Sequence, residues 1–347
     1  MKKGLCSLVF MLFVIAANAQ ESRSAYNFLR VPSSSHVSAL GGENISLIAD
    51  DAASARQNPA LYANVNDRTL GLSFMTYPAG GTLFGAQFVK AFGDRHTAAF
   101  TAHYMNYGSV DETDESGIAS GTFSPKDLVL SAGYSYLMGD YVSGGAQLKM
   151  ISSSYGDYSS MALAVDLGLN YFDEDHDLSL SLAALNIGRQ IKMFDDRREH
   201  LPFNLQAGAT IGLAQAPVRL SITMTDLTRW KKEDYFTTED KIGFGKMLLN
   251  HFVAGVDILP TKQTYLSVGY NFRRAYELKQ AGESHWAGLS VGGGLTLKDF
   301  KFGVSFAKYS LSASSLMVNL SYSFPASKKK KNAQTTKSTD TQAEEEE

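Results

Sequence analysis

From Asp67 to Phe324 the chain alternates apolar and polar residues with a period of two, segment after segment. In 217–226, Val218, Leu220, Ile222 and Met224 share one face, while Arg219, Ser221, Thr223 and Thr225 share the other. In 299–308, Phe300, Phe302, Val304 and Phe306 oppose Lys301, Gly303, Ser305 and Ala307. Segment 160–172 sets Met161, Leu163, Val165, Leu167, Leu169 and Tyr171 against Ala162, Ala164, Asp166, Gly168 and Asn170. Successive side chains of a strand point to opposite sides, so each segment carries one apolar surface and one small or polar surface.

About fourteen such segments can be counted, near 67–77, 81–92, 96–107, 126–137, 141–152, 160–172, 177–186, 203–213, 217–226, 249–259, 263–273, 286–297, 299–308 and 315–324. Each is near the roughly 9–11 residues that a tilted transmembrane strand needs. The links sort by strand parity. Those after even segments are short, such as Gly93-Asp94, Met138–Asp140 and Lys298. The long ones, Gly108–Pro125, Ile187–Pro202, Leu227–Lys246 and Arg274–His285, all follow odd segments. Bacterial outer-membrane barrels have this asymmetry, with short periplasmic turns and long extracellular loops. The prediction is an all-β protein, a transmembrane antiparallel β-barrel of about fourteen strands. An even strand number brings both ends of the barrel to the short-turn side, which places both termini in the periplasm.

The aromatic residues Tyr77, Phe92, Tyr104, Tyr107, Tyr134, Tyr136, Tyr171, Phe203, Phe272, Trp286, Tyr322 and Phe324 fall near segment ends. Amphipathic rings favour the headgroup level, so they are expected to form girdles. The inner face is expected to be lined largely by Gly, Ala, Ser and Thr, with Gly80-Gly81, Gly144-Gly145 and Gly292-Gly293-Gly294 on it or nearby. Few long polar side chains are expected there. That leaves space for a plug or a peptide; the glycines could equally mark strand kinks.

Two ends lie outside this rhythm. Lys2 and Lys3, the apolar run Leu5–Ala16 and the small-x-small Ala17-Asn18-Ala19 read as a signal peptide over 1–19, with cleavage before Gln20. The single cysteine, Cys6, lies within it, so disulfides and thiolate metal sites are excluded from the mature chain. Without Lys2 and Lys3, 30 basic residues face 35 acidic ones, a net charge of −5, and nothing suggests nucleic acid. No later apolar run is long enough for a membrane helix. Residues 20–66 lack strand periodicity and are read as a plug inside or beneath the barrel. They contain Gly41 and Gly42, a short helix through Asp50–Arg56, and the breaker Asn58-Pro59. Asp50 and Asp51 could be a functional acidic pair, but helix capping is preferred. The tail 326–347, four lysines followed by polar residues and four glutamates, has nothing apolar to bury and is expected to be disordered in the periplasm.

Candidate chemistry is sparse. GxSxG, P-loop, HExxH and CxxC patterns are absent, so no catalytic residue, cofactor or enzymatic activity is expected. The histidines His36, His96, His103, His176, His200, His251 and His285 lack ligand spacing and are read as interfacial or loop residues. Asp111, Glu112, Asp114 and Glu115 could hold Ca²⁺, with solvated loop charge the preferred reading. Trp230, Lys231, Lys232, Tyr235 and Phe236 combine aromatic groups and charge on a long loop. They are a candidate partner-binding loop, with contact to lipid headgroups as the equal alternative.

Tyr26-Asn27-Phe28-Leu29, Pro32-Ser33, Ala39-Leu40-Gly41-Gly42, Asp50-Asp51 and Asn58-Pro59-Ala60 resemble the opening of the PorV/PorQ family of the type IX secretion system. Asn106-Tyr107-Gly108, Gly121-Thr122-Phe123, Leu185-Asn186-Ile187-Gly188, Leu201-Pro202-Phe203 and Asp226-Leu227-Thr228-Arg229-Trp230 look closer to PorQ. The resemblance covers nearly all the mature chain and rests on the order of these motifs. It implies a fatty-acid-transporter-like (FadL-like) barrel with an N-terminal plug. It also implies a role in holding a PorZ-like surface protein and, through it, a PorU/PorV-like sortase complex that attaches secreted cargo to lipopolysaccharide. The alternative that the architecture allows is an outer-membrane channel for long-chain fatty acids or other hydrophobic small molecules.

Overall fold

The computed structural model describes residues 26–77, 80–113, 119–196, 198–231, 243–277, 285–308 and 314–325. The expected signal peptide over 1–19 and the charged tail over 326–347 lie outside the described residues. Among the described residues no helix is long and apolar enough to cross a membrane.

The strands are β1 (Thr69–Thr76), β2 (Thr82–Phe92), β3 (His96–Asn106), β4 (Val110–Thr113), β5 (Ala119–Phe123), β6 (Lys126–Leu137), β7 (Val142–Tyr155) and β8 (Tyr158–Asp173). They continue with β9 (Leu178–Lys192), β10 (Asn204–Gly212), β11 (Val218–Met224), β12 (Phe252–Thr261), β13 (Thr264–Asn271), β14 (Leu289–Leu297), β15 (Phe300–Lys308) and β16 (Ser314–Ser323). Fourteen of them close into an antiparallel barrel in chain order, and β4 pairs only with β5, as a separate hairpin. The seam joins β1 to β16 from Thr69↔Ser323 to Met75↔Met317. Closure matters because an unpaired peptide group facing lipid costs several kcal/mol, and a closed ladder pairs them between strands.

The expected faces are observed. On β6, Leu128, Leu130 and Tyr134 are exposed, whereas Asp127, Val129, Ser131, Gly133 and Ser135 are buried. On β15, Phe300, Phe302, Val304 and Phe306 point out, and on β16 Leu316 and Val318 do. The exposed face is thus the apolar one, as lipid solvation requires. At the short-turn end Phe300 and Tyr322 pack at 4.5 Å, Tyr322 and Phe324 at 5.0 Å, and Tyr141 and Tyr171 at 5.9 Å, part of an aromatic girdle. Tyr77 and Tyr107 do not join a girdle. They share the inward parity of Met75 and Met105 and pack on a luminal cluster of Val31, Met75, Leu83, Met105 and Met317.

Four long links hold structure that alternation could not reveal. The link 108–125 contains the β4–β5 hairpin. Helices Phe244–Asn250 and Phe272–Glu277 and the 3-10 turn His285–Gly288 occupy residues assigned above to loops or strand ends. Strand β9 runs six residues beyond its expected end at 186.

Candidate functional site

The barrel lumen is occupied by the chain's own residues 26–66. Tyr26, Val37, Leu40, Ile45, Leu61 and Tyr62 are fully or almost fully buried there. The segment starts at the long-loop end, where Tyr26 bonds Ser160 near the start of β8. It ends at the short-turn end, where Thr69 Oγ1 donates to the Asn66 carbonyl at 2.9 Å. The barrel's own two ends therefore meet at the short-turn side, as expected, while Tyr26 sits at the opposite end.

Each expected plug residue has a definite seat. Asp51 caps the helix Ala52–Ala55, accepting from Ala53 N at 3.1 Å and Ser54 N at 3.2 Å, which satisfies two orphan donors. Asp50 does not cap that helix. It accepts from Asn66 N at 2.7 Å and forms an ion pair with Lys301 of β15. Asn58 caps the 3-10 turn Pro59–Asn64 by accepting from Ala60 N at 3.0 Å. Its amide nitrogen donates to the carbonyls of Ile45 and of Leu169 on the adjoining wall strand β8. Asn58 and Pro59 lie directly on the wall: a Cβ at Gly168 would stand 1.9 Å from Asn58 Oδ1, and one at Gly145 2.4 Å from the Pro59 carbonyl. Gly41 and Gly42 have φ of +105° and +94°, a region glycine enters freely, and they turn the chain after the helix Ser35–Ala39. A Cβ at Gly269 on β13 would stand 2.1 Å from the Leu40 carbonyl carbon. The small inner residues are thus the places where plug backbone meets wall backbone.

Polar bonds lock the same contact. Ser135 and Ser143 both donate to the Ala60 carbonyl, at 2.9 and 3.1 Å. Tyr62 donates to Gln147 Oε1 at 2.8 Å, and Gln206 Nε2 to Glu43 at 2.8 Å. His36 Nε2 lies 2.9 Å from Asp257 Oδ1 of β12, with its ring stacked on Tyr265 at 3.8 Å. Arg30 meets Asp226, in the link after β11, through two hydrogen bonds of 2.6 and 2.8 Å, and Arg273 joins the same carboxylate. Burial opposes ionisation of Asp226, but the charges of Arg30, Arg273 and Arg229 outweigh it and hold the carboxyl well below the usual range.

The lumen is therefore more polar than expected. Gln87, Gln147, Lys149, Asp166, Gln206 and Asp257 all point inward and are buried. Three histidines are also not interfacial: His36, His103 and His251 are buried. The signal available in the sequence was a long polar residue at an inward position, such as Lys149 or Asp166; its partner was not legible.

Lys149 and Asp166 form a buried ion pair beside an irregularity in the wall. Strand β9 carries an extra residue opposite Val165–Leu167, and Asn186 there has φ +59°. Asn186 N donates to Asp166 Oδ1 at 2.7 Å, and Lys149 donates to Asn186 Oδ1 at 2.9 Å. Pairing with β10 ends at Leu185↔Asn204, so the outer part of β9 keeps β8 alone as its strand neighbour. Phe194 of the following link stacks on Tyr155 at 5.2 Å and on Tyr26 at 6.3 Å.

At the loop face, Trp230 is half-exposed. Its ring packs on His251 at 4.0 Å, and its indole N–H donates to the Leu227 carbonyl at 2.7 Å. Lys231 is exposed, and Lys232, Tyr235 and Phe236 lie outside the described residues. Neighbouring loop segments expose Phe244, Leu249 and Trp286. Asp111 and Glu112 lie exposed on β4, while Asp114 and Glu115 lie outside the described residues. Among the described residues no group of three or more metal-ligating side chains is assembled.

No family model and no curated protein matches the chain. Solved structures do. The Pseudomonas putida toluene transporter TodX is 13% identical, with a TM-score of 0.52 over 84% of this chain and 98% of that one. A deltaS2 mutant of the TodX monoaromatic hydrocarbon channel is 15% identical, with a TM-score of 0.51 over 86% and 99%. At these identities the likeness is one of fold. The chain shares with TodX the fold of a closed antiparallel barrel, here of fourteen strands with residues 26–66 seated in the lumen.

Proposed function

We propose that this protein is a non-enzymatic outer-membrane barrel of the type IX secretion system, anchoring a cell-surface attachment complex by its long loops. The observation that carries this reading is the seating of residues 26–66, which fill the lumen and bind the wall through Asn58, Tyr62, Asp50 and His36. A barrel stiffened by its own chain is suited to presenting a fixed loop face. The ordered motifs that resemble PorQ supply the system and the partner: a PorZ-like surface protein and, through it, a PorU/PorV-like sortase complex. The exposed Trp230, Phe244, Leu249 and Trp286 are the apolar side chains such a partner would cover.

A second reading is an outer-membrane channel for long-chain fatty acids or other hydrophobic small molecules. The parting of β9 from β10 and the TodX-like fold favour it. Crosslinking with mass spectrometry on intact outer membranes separates the two. Capture of a surface partner, lost on deleting 230–236, supports the anchor. Uptake of hydrophobic solutes into liposomes carrying the purified barrel, with no partner captured, overturns it in favour of the channel.

A further inference from the structure

The outer face of the barrel carries two neighbouring cations on β9. Arg189 and Lys192 lie opposite Leu163 and Met161, successive outward positions of β8. Ile191 is the extra residue at the irregularity between these pairs, so both cations keep the outward face. Both are exposed, as are Leu163 and Met161. Neither takes part in an ion pair among the described residues. Lys192 Nζ donates to Ser159 Oγ, a neutral group at the next outward position of β8. The acids nearest in sequence, Asp157, Asp195 and Asp196, are exposed in the β7–β8 turn and in the link after β9, off the wall.

The level of these residues gives them a counterpart. Along β8 from Tyr171, in the girdle at the short-turn end, to Leu163, a rise of ~3.3 Å per residue and a tilt of ~40° give roughly 20 Å. The apolar band of an outer-membrane barrel is about 25 Å tall, so Arg189 stands just under its upper border and Lys192 at it. Long cationic side chains there reach up to the headgroups.

The same stretch of β9 lacks a neighbour on one side. From Ile187 to Lys192 it pairs with β8 alone, and among the described residues no backbone hydrogen bond meets its other edge. The link after β9 is held by side chains instead: Gln190 accepts from Glu199 N at 2.8 Å, and Asn186 donates to the Pro202 carbonyl at 3.1 Å. Gly188, in the inward row beside buried Ala164, is exposed. Two cations, a hydroxyl and the N–H groups of a free strand edge thus share one place on the outer face. Hydrocarbon satisfies none of them. A phosphate accepts from all of them, and its bonds to guanidinium and ammonium groups are of the strong, charge-assisted kind.

We infer that Arg189, Lys192 and Ser159 bind a phosphate of the lipid in the leaflet at the long-loop end, which in an outer membrane is the phosphorylated glycolipid lipid A. Its acyl chains would lie below, on the exposed Leu163, Met150 and Leu148. The site rests on the outer-membrane setting of the barrel and holds for either role proposed above.

The test is native mass spectrometry of the purified barrel in detergent, titrated with lipid A, phosphatidylglycerol or phosphatidylcholine. Lipid A is expected to bind most tightly. Arg189→Gln with Lys192→Gln should weaken it roughly tenfold or more, as loss of hydrogen bonds to a charged group does. Ser159→Ala should weaken it less. Lys90→Gln, which removes an exposed outward cation at the short-turn end, should leave it unchanged. Unheated gels show whether each variant is folded. Lipid A bound no more tightly than the two phospholipids, or equally by the parent and the folded double variant, overturns the inference. The crosslinking that decides between anchor and channel is read separately from this result.

Discussion

Arg30 of the plug and Asp226 of the link after β11 face each other in a fork, Nη2 to Oδ1 at 2.6 Å and Nη1 to Oδ2 at 2.8 Å. Arg273, in the helix after β13, binds the same carboxylate. One buried acid thus ties the plug to two separate loops at the loop end of the barrel. Asp226→Asn keeps the shape and removes the negative charge that Arg30, Arg229 and Arg273 share. Breaking a buried pair in this way costs roughly 3–5 kcal/mol. The expected outcome is a lower melting midpoint and faster proteolysis within 26–66, measured on the barrel in micelles.

The same carboxyl has a pH signature. Its folded-state pKa is depressed below the ordinary value of about 3.9, so the unfolded state binds the proton more readily. The stabilisation is therefore complete above pH ~4 and is lost as pH falls through the depressed folded value. Melting followed from pH 7 down to strongly acid conditions should show a decline below about pH 4 that Asp226→Asn lacks. A decline that is the same in both proteins would remove Asp226 as its source.

Gly269 tests the seat of the plug. A methyl group there would stand 2.1 Å from the Leu40 carbonyl carbon and 2.2 Å from Gly41 N, both backbone atoms that cannot swing aside. Gly269→Ala should cost about 1–3 kcal/mol by overpacking and displace the segment around Leu40. The barrel should still migrate as a folded species on unheated gels, while protease reaches the plug. Gly139, with nothing within 4 Å of its would-be Cβ, is the control whose alanine variant should behave as the parent does.

Lys149 and Asp166 should respond as a unit. Lys149→Met alone leaves a buried carboxylate and should destabilise the barrel by roughly 3–5 kcal/mol. Adding Asp166→Leu removes that carboxylate and should recover a good part of the loss. Denaturant unfolding of the two single variants and the double gives the coupling; simple additivity would exclude a direct pair.

Val304, midway along β15, is exposed on the apolar outer face of the barrel. Val304→Lys should lower stability by roughly 2–4 kcal/mol, the cost of a cation near the bilayer midplane. Lys301, on the inner face of the same strand, is tolerated because Asp50 pairs with it. Folding yield into liposomes is the measurement; an unchanged yield for Val304→Lys would mean that this face does not meet lipid.

Fourteen strands, their order and their faces were legible in the residues because side-chain alternation is a local property of extended backbone. Phe300, Phe302 and Val304 need no distant partner to declare their side. The role of Asp51 as a cap was readable too, since a cap binds N–H groups two or three residues away, whereas Asn58 was legible only as a breaker. What Asp50 and Arg30 do was not. Lys301 and Asp226, their partners in ion pairs, lie on the barrel side of a lumen that brings together residues separated by as many as 286 positions, as Ser33 and Asn319 are. The inner glycines stood in the sequence only as missing side chains. The tertiary structure alone decided that Gly168 receives Asn58 and Gly269 receives Leu40, because close approach of two backbones is a fact about space and leaves no period along the chain.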